Sequence, residues 1–444
     1  MSIRTHFRQH LLLALPIMIS QLSHISASVS DSVMVGWLGA TPLAASALTN
    51  GILWPFLALG MGISYGMTPL VAAADAREDY TETTQVLKHS LLINMGYALI
   101  FGTALILAAP LLHYAGQAPS VATLAVPYFR IVAFSLFPFM LFQTFREYAE
   151  ALSFTREAMY INVGCSLVNI VLNYLLIYGK LGCTPMGLSG AGWATLISRT
   201  LMGLSMMGYV FGAPKLRQRL VAFRLKDFVP SYLTKIIRIG LPAGLECSVD
   251  GLACTATMVM AGWVSVEAQA AHTIAGNLTS VSGVIIWGIG LSTTIRVGNQ
   301  VGLRNVAALR TAGFVGFGLG AALALVATIV FLGGRSVLPG FYTDDSVVLG
   351  IASTLLIVVG IQQLSDSADG VGVCALRGIE DTAIPLMITL VSRCLLGIPL
   401  TYILCFVCGW GVEGLWWGLF MAKLIAGMTL FRRFDRKSRE VVCD

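Results

Sequence analysis

The sequence predicts an all-α integral membrane protein with twelve transmembrane helices, and three observations support this prediction. Hydrophobic residues make up 56% of the 444 residues and charged residues only 11%, whereas soluble domains contain about 25% charged residues. The hydrophobic residues occur in blocks of about twenty or more, the length of a helix that spans a bilayer. Many of the Gly and Pro residues fall inside these blocks, where membrane helices tolerate them better than soluble helices do.

Twelve hydrophobic blocks define the predicted spans. They cover residues 10–36, 43–74, 88–110, 121–145, 158–178, 187–211, 236–262, 267–297, 311–333, 347–375, 383–407 and 412–431. Several blocks are longer than a bilayer requires, which predicts tilted helices or kinks at internal prolines.

The distribution of basic residues predicts the topology. The predicted cytoplasmic segments carry 21 Lys and Arg residues, whereas the predicted external loops carry two, Lys180 and Arg335. Because cytoplasmic loops are enriched in Lys and Arg, both termini are expected in the cytoplasm. The net charge of +6 reflects this bias. The basic residues of the protein are spread over many short loops, so nucleic acid is not an expected partner.

The two halves of the sequence repeat each other. The motif LP at residues 15–16 recurs at 241–242, and the motif VMxGW at 33–37 recurs at 259–263, both at an offset of 226 residues. A third motif, GxxGxxW, recurs late in each half at an offset of 224. Each half contains six predicted spans, so the repeats have the same orientation. Such parallel repeats predict pseudo-two-fold symmetry about the membrane normal, with a substrate path between the halves.

These repeats predict the domain organisation. Residues 1–212 form an N-terminal six-helix bundle and residues 236–434 a C-terminal one. A basic cytoplasmic linker at 213–235 joins them, and residues 435–444 form a cytoplasmic tail.

Four acidic residues lie within predicted spans of the C-terminal half. Glu246 and Asp250 share one face of helix 7, and Asp366 and Asp369 lie on a polar stripe of helix 10. An ionisable residue inside the membrane is costly and is by default a functional hypothesis. The sequence places no Lys or Arg deep in either helix to neutralise these acids.

Such a cluster supports two kinds of chemistry. Carboxylates could hold Na⁺, and we expect this metal site at Asp250 and Asp366. Alternatively, closely spaced carboxyls in a low-dielectric environment allow one of them to keep a proton near neutral pH. A structural set of buried hydrogen bonds or ion pairs is the alternative to both.

The N-terminal half contains a different polar set. Asp31 lies in helix 1, Asn162, Asn169 and Asn173 follow one face of helix 5, and Thr195 lies in helix 6. We predict a proton or substrate site at Asp31, Asn169, Asn173 and Thr195. Asparagines also hold membrane helices together, which is the structural alternative.

Four further basic residues are predicted to lie near helix ends and to extend toward the membrane interface. They are Arg130, Arg199, Arg393 and Lys423.

Several enzyme classes are not indicated by the sequence. It contains no GxxxxGK[ST] motif, no HExxH motif and no nucleophile elbow. It also has no soluble domain of a size to bind ATP. The protein is therefore expected not to be an enzyme, to have no catalytic residues and to need no cofactor beyond a coupling ion, Na⁺ or H⁺.

Several motifs together resemble one known family. They are LPIMISQLSHISASVSDSVMVGWLG at 15–39, NIVLNYLLIYG at 169–179, MGLSGAGWATLISR at 186–199, RIGLPAGLECSVD at 238–250, AAHTIAGNL at 270–278, STTIRVGNQVG at 292–302 and QQLSDSADGVGVCALRGIEDT at 362–382. In order and spacing they resemble the multidrug and toxic compound extrusion (MATE) family over essentially the whole chain, in particular its bacterial NorM-like branch.

This resemblance implies two six-helix bundles that form a V around a cleft, and a cation-coupled antiporter that expels organic, often cationic, compounds. It places the N-lobe site at Asp31, Asn169, Asn173 and Thr195. It places the C-lobe cation site at Asp250 and Asp366. Two positions depart from the family: Asp250 stands where the NorM branch usually has Glu, and Asn173 where other branches have Asp. A monomer in the bacterial inner membrane is expected.

Two other functions are alternatives to antiport. A flippase for lipids or lipid-linked saccharides is expected to carry many basic residues in its cleft, whereas this sequence places acids there. A membrane enzyme is expected to have a catalytic cluster near one interface, and no constellation of His or Cys accompanies the acids.

Overall fold

The computed structural model describes residues 3–114, 118–182, 184–220 and 229–440, and all regular structure in these ranges is helical. Residues 221–228 of the predicted linker and 441–444 of the predicted tail lie outside the described residues. Twelve long helices follow one another, and we label them α1–α12. Their bounds are α1 Ile3–Gly36, α2 Ala40–Ala76, α3 Tyr80–Tyr114, α4 Pro119–Ala151, α5 Thr155–Tyr178, α6 Gly187–Gly212, α7 Pro230–Val264, α8 Val266–Gly302, α9 Val306–Gly334, α10 Ser346–Gly378, α11 Ala383–Val407 and α12 Gly411–Glu440.

The helices reproduce the twelve predicted spans. Within the described residues, eleven helices are long and apolar enough to cross a membrane. The twelfth predicted span is α6, a 26-residue helix that contains many Gly and Ser residues. The helices extend beyond the predicted spans mainly at ends predicted to be cytoplasmic, for example by several residues at the start of α1 and α3. Hydrophobicity marks only the part of a helix in the hydrocarbon, and the helix continues into polar turns.

Backbone geometry repeats between the two halves. The non-glycine residues Glu78 and Arg304, which are 226 positions apart, both have a left-handed conformation with φ of 60° and 55°. Asp79 and Asn305, also 226 apart, cap the helices that follow, because each side chain accepts a hydrogen bond from the backbone N–H three residues later. The repeat found in the sequence is therefore also a repeat of turn and cap structure.

The structure divides into two compact units. One comprises Met1–Met18 with Leu245–Asp444, and the other comprises Ile19–Gly244. We call them the C-unit and the N-unit. Both divisions fall inside helices, in α1 and α7, and not in the linker that the sequence predicts as the boundary.

Within the N-unit, two glycine pairs let α2 and α7 approach closely. Gly62 and Gly66 of α2 face Gly240 and Gly244 of α7. A Cβ atom at Gly66 would lie 2.6 Å from the carbonyl oxygen of Ile236 and 2.7 Å from the nitrogen of Gly240. Both pairs have the GxxxG spacing through which membrane helices bring their backbones together.

Replacing Gly62 by alanine is expected to destabilise the protein, by about 1–3 kcal/mol. The added methyl group would overlap the backbone of Gly244 and lie 2.8 Å from the carbonyl carbon of Ala243. Gly96→Ala is the matched control, because no atom lies within 4 Å of a Cβ built there, and alanine is favoured over glycine in a helix. Thermal unfolding of the purified variants should show a lower midpoint for Gly62→Ala and an equal or higher one for Gly96→Ala. Equal midpoints for the two variants would contradict the close contact.

Candidate functional site

The first candidate site is a cavity of about 200 Å³ in the N-unit. Helices α1, α2, α4, α5 and α6 contribute to its wall. Its polar lining residues are His24, Ser28, Asp31, Ser32, Ser46, Asn50, Tyr128, Ser166, Asn169, Thr195, Ser198 and Arg199. The cavity therefore contains the carboxyl group of Asp31 and the guanidinium group of Arg199 among many hydrogen-bonding side chains.

Amide side chains of α5 connect to Asp31. The Asn173 amide donates a hydrogen bond to the Asp31 carboxylate and another, of 3.3 Å, to Oδ1 of Asn169. Asn169 in turn donates to Oγ of Ser198 on α6 at 2.9 Å. Asp31 is half-buried and Asn173 is fully buried. One connected chain of hydrogen bonds thus links α1, α5 and α6.

The structure places the residues predicted for the N-terminal half as follows. Asp31, Asn169 and Thr195 line the cavity, and Asn173, which is not among the lining residues, donates a hydrogen bond to Asp31. The Thr195 hydroxyl donates to the carbonyl oxygen of Ala191, one turn earlier in its own helix, at 3.0 Å. Asn162, on the same face of α5, donates instead to the backbone carbonyl oxygen of Ser20 at 2.9 Å.

Arg199 belongs to this cavity, and the prediction that it lies near a helix end was wrong. It stands in the middle of α6, where its Nη1 donates to Oγ of Ser135 at 2.7 Å. Its guanidinium group also lies 4.9 Å from the ring centre of Phe139. The Ser135 hydroxyl and the Phe139 ring therefore stabilise the Arg199 guanidinium group inside the N-unit, and the side chain does not extend to the membrane interface.

The second candidate site lies in the C-unit and is centred on Arg393. Nε of this arginine donates to Asp250 of α7 at 2.8 Å, and its Nη2 donates to Asp369 of α10. The Arg393 side chain is only 3% exposed, so both ion pairs are shielded from solvent on the arginine side. Arg393 lies in a π-helical stretch of α11, Val391–Gly397, and such wider turns often occur at functional positions.

The other two acids of the C-unit have their own basic partners. Lys423 of α12 contacts Asp366 at 2.7 Å. The Asp366 carboxylate also accepts from Gln362, one turn earlier in α10, at 3.4 Å. Glu246 lies 3.7 Å from Arg377, whose side chain is 1% exposed at the end of α10.

The prediction that no basic residue lies deep enough to pair with these acids concerned only Lys and Arg within α7 and α10, whereas the basic partners of three of these acids come from α11 and α12. Arg393 and Lys423 were predicted at helix ends, and Arg377 was counted with the cytoplasmic segments. The structure brings all three against the four carboxylates. Two of the bases come from α11 and α12, and sequence position alone gives no sign that they face α7 and α10.

This arrangement differs chemically from the N-unit cavity. Each of these four carboxylates lies beside a positive charge, whereas Asp31 accepts its hydrogen bond from a neutral amide. The described residues contain no group of three or more His, Cys, Asp or Glu side chains that could hold a metal ion. A cation that binds in the C-unit must therefore compete with Arg393 or Lys423 for its carboxylates.

Twelve membrane helices in two repeated halves, with ionisable clusters inside the spans, define a polytopic membrane transporter. Residues 16–175 and 242–403 match the family model described as MatE. The chain belongs to the MatE family. The fold class predicted from the sequence is thereby confirmed.

Known proteins with NorM names are similar to this chain over nearly its whole length. The probable multidrug resistance protein NorM of Rhizobium meliloti is 28% identical, over 98% of this chain and 95% of the relative. The multidrug resistance protein NorM of Burkholderia vietnamiensis is 30% identical, over 97% and 94%. The predicted resemblance to the NorM-like branch is confirmed.

Solved structures share the fold. The outward-facing conformation of a multidrug resistance MATE family transporter of the MOP superfamily aligns with a TM-score of 0.91 and 23% identity, over 98% of this chain and 96% of that chain. A mutant of the Vibrio cholerae MATE transporter VcmN aligns with a TM-score of 0.91 and 18% identity, over 99% of both chains.

Proposed function

We propose that the protein is a secondary active multidrug efflux antiporter. It exports organic, often cationic, compounds from the bacterial cytoplasm in exchange for Na⁺ or H⁺. It acts as a monomer in the inner membrane with both termini in the cytoplasm. Family membership and the names of its relatives support export of drugs, and the two ionisable clusters support coupling to a cation.

The single observation that carries this proposal is the environment of Asp31. Its carboxylate faces a cavity in the membrane-spanning part of the N-unit and accepts a hydrogen bond from Asn173. Oδ1 of Asn173 is buried and has no hydrogen-bond partner among the described residues. The same amide therefore offers a donor to an ionised carboxylate and an acceptor to a protonated one.

This environment supports exchange at one carboxyl group. In the ionised form, Asp31 attracts an organic cation into a cavity lined by hydroxyl, amide and aromatic groups. A proton that binds Asp31 removes the negative charge and weakens the hold on that cation. Because linkage is reciprocal, a bound organic cation weakens proton binding to the same extent. The protein thus exchanges the two when the cavity opens to opposite sides.

We propose the C-unit acids as a second cation-binding site, with Asp250 and Asp366 as the principal ligands and Glu246 and Asp369 beside them. Lys423 and Arg393 act there as tethered cations that the incoming ion displaces from the carboxylates. Breaking such an ion pair without a substitute charge costs free energy. Lys423 or Arg393 therefore leaves its carboxylate only when an incoming cation takes its place.

Proteoliposomes test the function and separate the two coupling ions. Vesicles that contain the purified protein are loaded with a fluorescent organic cation, and a pH gradient or a Na⁺ gradient is imposed alone. Export driven by the pH gradient supports a proton at Asp31, and export driven by Na⁺ supports the C-unit site. Absence of export under either gradient contradicts the proposed antiport.

Replacing Asp366 by asparagine is expected to reduce Na⁺-driven export to background, because the neutral side chain no longer exchanges Lys423 for an ion. The double variant Asp366→Asn/Lys423→Gln removes both charges and is expected to stay inactive. Dye export from vesicles is the measurement. Full recovery in the double variant would show that Asp366 serves only to neutralise Lys423.

A further inference from the structure

A groove lies on the surface of the C-unit between α10 and α12. It has a volume of about 330 Å³ and an almost entirely apolar lining. Leu364 of α10 and Met428 and Phe431 of α12 are 43%, 47% and 40% exposed along it. The groove is therefore apolar surface that the described part of the protein leaves uncovered.

The shape of the groove follows from the packing of its two helices. A Cβ atom at Gly427 would lie 2.9 Å from Cβ of Ala368, so α12 meets α10 without a side chain between them there. Large side chains of α12 stand around this close contact, among them Phe420, Leu424 and Phe431. The groove thus has a shallow floor at the helix contact and bulky apolar walls.

A basic cavity begins where the groove ends. It has a volume of about 470 Å³ and is lined by Arg432, Arg433, Arg436, Lys437 and Glu440 of α12. Arg432 lines both the groove and this cavity. One continuous surface therefore passes from apolar to strongly basic at the end of α12 that is predicted to be cytoplasmic.

Most of the arginines at this end already have acidic partners. Arg433 contacts Asp381 at 2.7 Å, Arg436 contacts Glu440 at 2.9 Å, and Arg439 contacts Asp435 at 2.7 Å. Arg432 is exposed and forms no ion pair with any residue that the structure describes. It is the positive charge of this cluster that stays available to an anion.

We propose that this surface binds one anionic phospholipid, with an acyl chain in the groove and the phosphate against Arg432. Clusters of basic residues at the cytoplasmic end of a membrane helix attract anionic lipids. A zwitterionic phospholipid would bring a positively charged headgroup toward this basic end beside its phosphate, and a free phosphate would leave the apolar groove empty. An anionic phospholipid complements both parts, and this binding is separate from the proposed transport sites.

Native mass spectrometry of the detergent-purified, delipidated full-length protein tests the site by titration with phosphatidylglycerol and phosphatidylcholine. Phosphatidylglycerol is expected to bind more tightly. Arg432→Gln is expected to raise its dissociation constant about fivefold, the effect of one basic residue near a lipid headgroup. Leu364→Trp fills the groove without changing charge and should also weaken binding of phosphatidylglycerol.

Arg335→Gln is the matched control, because it removes the same charge at an exposed position at the opposite end of the C-unit helices. It should leave the dissociation constant of phosphatidylglycerol unchanged, and all variants should keep the parent unfolding temperature. Equal binding of the two lipids, equal losses in Arg432→Gln and Arg335→Gln, or no effect of Leu364→Trp would overturn the proposal. Displacement of the lipid by inorganic phosphate would assign the site to a soluble anion instead.

Discussion

The asparagine variant of Asp31 is expected to export no organic cation above background under either a pH or a Na⁺ gradient. Asparagine preserves the size of the side chain and its contact with Asn173, but it neither carries a negative charge nor exchanges a proton. The cavity keeps its shape and loses the group for which proton and organic cation compete. Dye export from proteoliposomes measures the loss, and equilibrium binding of the dye should weaken in parallel.

Asp345→Asn is the matched control for this substitution. Asp345 caps α10 by accepting hydrogen bonds from the backbone N–H groups of Val347 and Val348 at 2.8 and 3.3 Å. Asparagine caps a helix about as well as aspartate, so export and unfolding temperature should match those of the parent protein. If Asp31→Asn exported dye as fast as this control, the exchange site would have to lie elsewhere.

The largest loss of stability is expected from Arg393→Met. The substitution keeps a long side chain but leaves Asp250 and Asp369 without the charge that both now contact. Removal of one member of a buried ion pair costs about 3–5 kcal/mol. The purified variant should unfold at a markedly lower temperature, and less of it should reach the membrane. Arg335→Met, at an exposed position, should behave like the parent.

A second substitution separates charge from packing at this position. The double variant Arg393→Met/Asp369→Asn removes the more buried of the two carboxylates, since Asp369 is 11% exposed and Asp250 is 45% exposed. Much of the lost stability should return, because Asp250 reaches solvent and tolerates the loss of its partner better. An equally low unfolding temperature in the double variant would attribute the defect to the lost packing of Arg393.

Much of the fold could be predicted from the sequence, because a bilayer imposes a simple requirement. A helix that crosses it needs about twenty apolar residues, and the duplicated motifs predict two related halves of six helices each. The proximity of Asp31 and Asn173 could also be predicted from the sequence. One acid and several amides within otherwise apolar spans have few other groups with which to bond.

The ion pairs of the C-unit could not be predicted in the same way. Arg393 and Asp250 are 143 residues apart, and Arg393 lies in a part of α11 that departs from regular α-helical geometry. A basic residue some turns from a helix end is compatible with an interfacial position and with an interior one. Only the packing of α11 and α12 against α7 and α10 decides between them.

The distribution of α1 between the two units has a consequence for the order of assembly during synthesis. His10 bonds to Oγ of Ser292 at 3.2 Å and to the carbonyl oxygen of Ala312 at 3.0 Å, so the start of α1 belongs with α8 and α9. Domains generally form as the chain emerges, N-terminal part first. Here the start of α1 is synthesised more than 280 residues before the partners that it contacts. A nascent chain that stops after α6 should therefore hold an unfinished N-unit, without the start of α7, and a first helix whose N-terminal turns have no partner yet.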